Sequence, residues 1–150
     1  MPLSAFTLLL VEDDSNDVLL MKRAFEKAKI ASALRIVRNG EEAINYLEGK
    51  GDHSDRSRSP LPSLILLDLN LPLKSGHEVL DWVKRHPRLR SIPVIVLTSS
   101  KQNDDMQRAY QSGANSYIIK PVGLANLAEM VQTLRAFWMK VNQGPGDLRR

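Results

Sequence analysis

Residues 64–72, Leu64-Ile65-Leu66-Leu67-Asp68-Leu69-Asn70-Leu71-Pro72, bring a run of four apolar side chains up to a single carboxylate. A strand covered on both faces reads as a continuous apolar run of this kind rather than as an alternation. A charged group at the end of such a run is costly unless something neutralises it. The stretch predicts a buried strand that aims Asp68 at one edge of a sheet, and it poses the question of what sits beside that carboxylate.

The same pattern repeats outward in both directions, with apolar runs and helical periodicity alternating five times. Leu8–Val11 is a short buried run, followed by Val18, Met21, Phe25 and Ala28 at about one-turn spacing. Asp14, with Asp17 three residues on, marks a helix start, because acids favour the positive end of the helix dipole. Leu34–Val37 predicts a second strand, Asn39-Gly40 a turn, and Ala43, Ile44 and Leu47 a short helix that stops at Gly49. Residues 49–62, GKGDHSDRSRSPLP, have almost no apolar content and read as a mobile surface connection. Strand three covers Ser63–Asp68, and a helix carrying Val79, Leu80 and Val83 ends before Pro87. Strand four covers Pro93–Thr98, and a polar helix over Asn103–Ser112 is closed by Gly113. Strand five is Ser116–Lys120, and a last helix runs from Leu124 to Val141. Together these elements predict an α/β fold, a doubly wound parallel sheet of five strands covered on both faces.

At 150 residues, 43% hydrophobic and 25% charged, the chain reads as one ordinary globular domain over 1–142 with a flexible tail at 143–150 and no output domain. It has no cysteine, which excludes disulfides, thiol chemistry and cysteine-based metal sites. The start, MPLSAFTLLLVEDD, has neither a basic leader nor a small-residue cleavage site, and its apolar run is too short to span a bilayer. A cytoplasmic protein without membrane contact is expected. Net charge is +4, and the densest basic group, Lys84, Arg85, Arg88 and Arg90, reads as a solvated helix end and turn. No recognition motif accompanies it, so nucleic acid is not an expected partner.

Open parallel sheets place their ligand site outside the carboxyl ends of the strands. Strands one, three, four and five end in Glu12-Asp13, Asp68, Thr98 and Lys120, so the candidate chemistry falls on one edge. Three carboxylates at one rim raise one another's pKa values unless a cation joins them. A hard divalent ion with oxygen ligands, Mg²⁺ before others, suits this donor set. The absence of histidine and cysteine from the strand ends argues against zinc. Lys120 adds a second positive charge and Thr98 a hydroxyl for an oxyanion. A carboxylate nucleophile, a metal, a lysine and a hydroxyl make a site for phosphoryl transfer through an aspartyl-phosphate. Each residue also has a plainer reading: Asp68 as a strand-end cap, Glu12 and Asp13 as acids before a helix, Thr98 as a strand residue, Lys120 as a solvated lysine. Convergence at one edge favours the chemistry. His53, His77 and His86 fall in the loop or on helix surfaces and receive no role.

Four segments, LLVEDD, LILLDLNLP, IVLTSS and SYIIKP, resemble the signature segments of the CheY-like receiver domain of two-component response regulators. They stand in that family's order and spacing over about residues 6–140. The resemblance implies the (βα)5 flavodoxin-like fold with strand order 2-1-3-4-5. It implies that Asp68 accepts a phosphoryl group from a phosphohistidine of a sensor histidine kinase. Asp13 would bind Mg²⁺ (or Mn²⁺) directly, Glu12 would orient it through water, and Asn70 would offer its backbone carbonyl. Thr98 and Lys120 would bind the phosphoryl oxygens. The Lys120–Pro121 bond would be cis, and Tyr117 would be a switch aromatic moving inward with Thr98, although its alternation with Ile118 and Ile119 also suits simple packing. Asn70 and Ser100, flanking the site, would set the lifetime of the aspartyl-phosphate.

Departures from the commonest receivers narrow the likeness. The Glu-Asp acid pair, DLNLP in place of DxxMP, the long polar loop and the terminal LRAFWMKV are similar to the small response regulators that serve bacterial phytochromes. That likeness implies a bacteriophytochrome as the kinase and a homodimer through the face that includes the last helix. On that helix Leu127, Val131, Leu134, Trp138 and Val141 form a core-facing stripe, which Leu124, Met130 and Phe137 widen. Phe137-Trp138 is then either an anchor for a partner or a pair packed against the sheet edge. Two other classes stay open: a binding module that has lost phosphorylation, and a phosphohydrolase of the haloacid-dehalogenase type. The latter wants a second acid two residues after the nucleophile, where this chain has Asn70.

Overall fold

Successive side chains of a strand point to opposite faces, and in the computed structural model, which describes residues 6–141, this sorts the sheet into two cores. The elements are β1 Leu8–Val11, α1 Ser15–Lys27, β2 Leu34–Val37, α2 Gly40–Glu48, β3 Leu64–Leu67, α3 Gly76–Arg85, β4 Val94–Thr98, α4 Asn103–Gln111, β5 Ser116–Ile119 and α5 Leu124–Leu134. All strand pairs are parallel, in the order β2-β1-β3-β4-β5. Leu9, Val11, Ile65, Leu67, Val94 and Val96 face α2, α3 and α4, where Ala43, Leu47, Val79, Leu80, Val83 and Ala109 meet them. Leu8, Leu10, Leu64, Leu66, Ile95 and Leu97 face α1 and α5 on the other side, against Met21, Phe25, Leu127 and Val131. The central strands are thus buried on both faces, as their apolar runs require. Among the described residues no helix is long and apolar enough to cross a membrane.

Local chemistry sets the element ends. Asn39 does not make the expected turn with Gly40; it caps α2, its Oδ1 accepting from the Glu42 N–H at 2.7 Å. Ser75 and Glu78 form a reciprocal capping box at the start of α3. The last helix is regular only to Leu134 and continues over Arg135–Val141 as a π-helix. The expected tail at 143–150 lies outside the described residues.

The loop over 49–62 departs most from expectation. It is not a loose connection: Arg56 donates to the carbonyls of Tyr46, Leu47 and Ser59 at 2.8, 2.8 and 3.1 Å. Two of those carbonyls belong to the last turn of α2, which carries the negative end of the dipole, and the Tyr46 carbonyl also accepts from the Gly49 N–H at 3.1 Å. Tyr46 donates its hydroxyl to the Pro60 carbonyl at 2.8 Å, and the His53 ring lies 3.0 Å from the Ser59 hydroxyl. The basic group after α3 also differs: Lys84 is half-buried and donates to the carbonyls of Arg90 and Ile92 and to Asn115 Oδ1. Burial holds its ammonium below the ordinary lysine pKa.

Arg56→Met should keep the aliphatic stem and lose three carbonyl contacts, destabilising the fold by about 1–3 kcal/mol in urea unfolding. A change within experimental error would show that the loop is held by something other than Arg56.

Candidate functional site

The ladder brings the chemistry together by register. Val11 lies opposite Leu67, and Thr98 opposite Ile119. Glu12 and Asp68 therefore leave the sheet side by side, and Lys120 follows β5 beside Thr98. The Asp68 N–H donates to the Val11 carbonyl at 3.1 Å and the Lys120 N–H to the Thr98 carbonyl at 2.8 Å, so pairing continues up to the functional residues. Glu12 is 2%, Asp68 6% and Thr98 0% exposed. Gly76, the first residue of α3, packs so closely on the Asp68 carbonyl and Leu69 Cα that a Cβ there would overlap them.

The Lys120 ammonium sits among three carboxylates, 2.7 Å from Glu12 Oε1, 2.7 Å from Asp17 Oδ2 and 3.0 Å from Asp68 Oδ2. The Asp68 Oδ1 accepts from the Asn70 N–H at 3.2 Å, and Glu12 Oε2 from the Asp14 N–H at 3.2 Å. Burial, with the charge of Asp68 adding to it, pushes the Glu12 carboxyl up to about 7 against the opposing pull of Lys120. Burial works against the Lys120 ammonium too, but its hydrogen bonds to Asp17, Glu12 and Asp68 outweigh it and raise its pKa. One cation thus faces three acids, and the site is short of positive charge.

The other predicted residues stand around this centre. Asp13 is exposed at the rim, as is Asn70, whose N–H rather than its carbonyl is what reaches Asp68. Thr98 Oγ1 accepts from the Ser100 N–H at 3.3 Å, which leaves its own proton to donate. Tyr117 is half-buried against the core, and its hydroxyl donates to the Ser100 carbonyl at 3.0 Å. Trp138 is half-buried against the α1–α5 core, with Phe137 in edge contact at 5.1 Å and 48% exposed; among the described residues neither makes a polar contact with Glu12, Asp68, Thr98 or Lys120. No peptide bond among the described residues is cis, so Lys120–Pro121 is trans, against expectation. The trans form is favoured by roughly 0.5–1 kcal/mol before proline, and the long lysine stem reaches all three carboxylates from it.

Two residues with a place here were misread from sequence. Asp17 looked like a helix-start acid; the Asp14 cap does accept from its N–H, but its carboxylate also binds Lys120. His77 was placed on a helix surface, yet it is buried with Nε2 3.3 Å from Asp105 Oδ1. The i, i+3 spacing to the buried Leu80 was the signal that could have found it.

Among the described residues no three carboxylate or histidine side chains stand as a ready-made metal cage. The donor set nevertheless suits a hard cation: all its ligating atoms are oxygens, three carboxylates share one ammonium, and Asp13 lies exposed at the rim.

Residues 8–132 match the response regulator receiver domain. The chain is 43% identical over 141 residues to the probable methanogenesis regulatory protein FilR2 of Methanothrix harundinacea, covering 94% of this chain and 88% of that one. It is 41% identical over 133 residues to the response regulator Rcp1 of Synechocystis sp., covering 89% and 88%. Rcp1 has been solved in a Mn²⁺-bound form, which superposes with a TM-score of 0.82 at 40% identity over 94% of this chain and 99% of that one. The phosphorylated cyanobacterial phytochrome response regulator RcpA superposes with a TM-score of 0.86 at 37% identity over 95% and 99%.

Lys120→Met should leave the buried carboxylates uncompensated and cost about 3 kcal/mol or more in urea unfolding near neutral pH. Adding Asp68→Asn to that variant should recover part of the loss, by removing one of the facing charges. A double variant no more stable than Lys120→Met would show that Asp68 is not part of the charge cluster.

Proposed function

The chain belongs to the response regulator receiver domain family, and on that premise we propose that it is a response regulator that accepts a phosphoryl group on Asp68 from a sensor histidine kinase. The observation that carries the reading is the setting of Asp68: nearly buried at the strand-end edge, with Lys120 Nζ on one oxygen and the Asn70 N–H on the other. Receiver domains are generally not enzymes in their own right, and this chain's chemistry is self-catalysed phosphotransfer to Asp68 and hydrolysis of the aspartyl-phosphate by water.

In the transfer an Asp68 oxygen attacks the phosphorus, and the P–N bond to the donor histidine breaks with its electron pair leaving on the imidazole. Asp13, Asp68 and the Asn70 carbonyl would hold Mg²⁺ or Mn²⁺, with Glu12 orienting it. When bound, that ion neutralises the carboxylates and the phosphoryl oxygens. Lys120 turns from its carboxylates to a phosphoryl oxygen, and the Thr98 hydroxyl, whose proton is free to donate, binds another. The acyl phosphate carries up to two negative charges where the Asp68 carboxylate carried one, in a site already short of positive ones, so both lysine and metal are needed. Thr98 and Tyr117, linked through Ser100, pass the change to the surface.

The likeness to the phytochrome response regulator RcpA favours a kinase of the phytochrome type. The same reading has the protein act in the cytoplasm and pair with a second copy through the face that includes α5. Phe137, exposed beside a half-buried Trp138, supports that face as the one used.

Intact-protein mass after incubation with acetyl phosphate tests the proposal. Wild type should gain one phosphoryl group only with Mg²⁺ present, and Asp68→Asn should gain none while staying folded. No gain by folded wild type with Mg²⁺ would leave a module that binds without being phosphorylated.

A further inference from the structure

His77 is buried to 8% exposure, yet nothing among the described residues satisfies its Nδ1. Leaving a polar atom unpaired in the interior costs free energy that an apolar side chain of similar size would spare. What His77 gains is on the other side of the ring, where Nε2 faces Asp105 Oδ1 at 3.3 Å. Hydrogen bonds from Ser100 and His77 hold the Asp105 carboxyl below the usual range, so it is an acceptor. Nε2 therefore carries a ring proton and donates it, and Nδ1 is left without a partner.

Asp105 Oδ2 in turn accepts from the Ser100 hydroxyl at 2.6 Å. Ser100 is then held through all its polar groups. Its N–H donates to Thr98 Oγ1 at 3.3 Å, its carbonyl accepts from the Tyr117 hydroxyl at 3.0 Å, and its Oγ also accepts from the Gln102 N–H at 3.3 Å. The other end of the chain is equally fixed. His77 follows Gly76, which packs on the Asp68 carbonyl and donates its N–H to the Leu69 carbonyl at 2.9 Å.

We propose that His77 is a positioning residue: through Asp105 it fixes Ser100, and Ser100 sets where the Thr98 hydroxyl and the Tyr117 ring stand. The line His77–Asp105–Ser100–Tyr117 joins the backbone of Asp68 to Tyr117 by way of α3 and α4, beside the shorter route through Thr98. Only its effect on rate rests on the reading of Asp68 as phosphoacceptor; its effect on the ring does not.

Two variants separate positioning from packing. His77→Gln keeps an amide N–H near the place of Nε2, while His77→Leu fills similar volume, removes the donor and spares the unpaired Nδ1. The readouts are the fluorine NMR signal of Tyr117 in fluorotyrosine-labelled protein, the rate of phosphorylation by acetyl phosphate, and Mg²⁺ affinity. The chain has three tyrosines, and loss of one signal in Tyr117→Phe assigns it. In His77→Leu the Tyr117 signal should move toward its solvent-exposed position, and phosphorylation should slow roughly fivefold, the worth of one ordinary hydrogen bond. Mg²⁺ affinity should not change, and His77→Gln should match wild type in all three. A Tyr117 signal equal in His77→Leu and wild type overturns the proposal, as does a His77→Gln protein that departs as far as His77→Leu. A displaced ring with an unchanged rate overturns it too, since ring and hydroxyl would then be set separately. If wild type takes no phosphoryl group, the reading of Asp68 fails, and the Tyr117 signals still decide this inference.

Discussion

The contact of one ammonium with three carboxylates, Lys120 with Glu12, Asp17 and Asp68, is the constraint around which the rest is arranged. Acids this close repel and the buried ones resist ionising; burial first, and the charge of Asp68 after it, raise Glu12 to about 7 against the hydrogen bond from Lys120. The cluster holds because its members are not free to move apart. Glu12, Asp68 and Lys120 each follow directly on a strand, and backbone pairing runs up to them. Asp17 is brought in by α1, so the same lysine also ties the first helix to the far edge of the sheet.

A platform of this rigidity comes from the apolar strands. β1, β3 and β4 carry hydrophobic side chains on both faces, each covered by helices, so the cost of holding charge at their ends is offset by two cores rather than by the site itself. That separation keeps the edge short of positive charge without unfolding the domain. It also explains why glycine is needed at position 76: α3 must begin against the Asp68 carbonyl, and any Cβ would push the acid out of line.

The strands, the parallel sheet and the convergence of Glu12, Asp68, Thr98 and Lys120 were legible because apolar period and strand-end position are properties of consecutive residues. The polar contacts were less legible, since polarity in a sequence reads as solvent exposure. Arg56 sits in a stretch with almost no apolar content and Lys84 in a basic helix end, and their long stems carry charged heads back to backbone carbonyls. Asp17 satisfied a helix start and so concealed a second partner that is distant in sequence. The cis bond inferred at Pro121 came from likeness to a family, and the observed backbone makes the lysine contacts in trans.

These hidden polar contacts are not scattered at random about the site. Lys120 and Asp17 lead from Asp68 to α1 on one face of the sheet, while Gly76, His77 and Asp105 lead from it to α3 and α4 on the other. A change of charge at Asp68 alters the first line by changing what Lys120 is drawn to. The second begins at the backbone of Asp68, against which α3 packs through Gly76. Packed helices have discrete arrangements and do not deform continuously, so each line conveys a choice between positions rather than a graded strain. Both lines start at one carboxylate and end on opposite faces of the sheet, so two separate surfaces are tied to the same group.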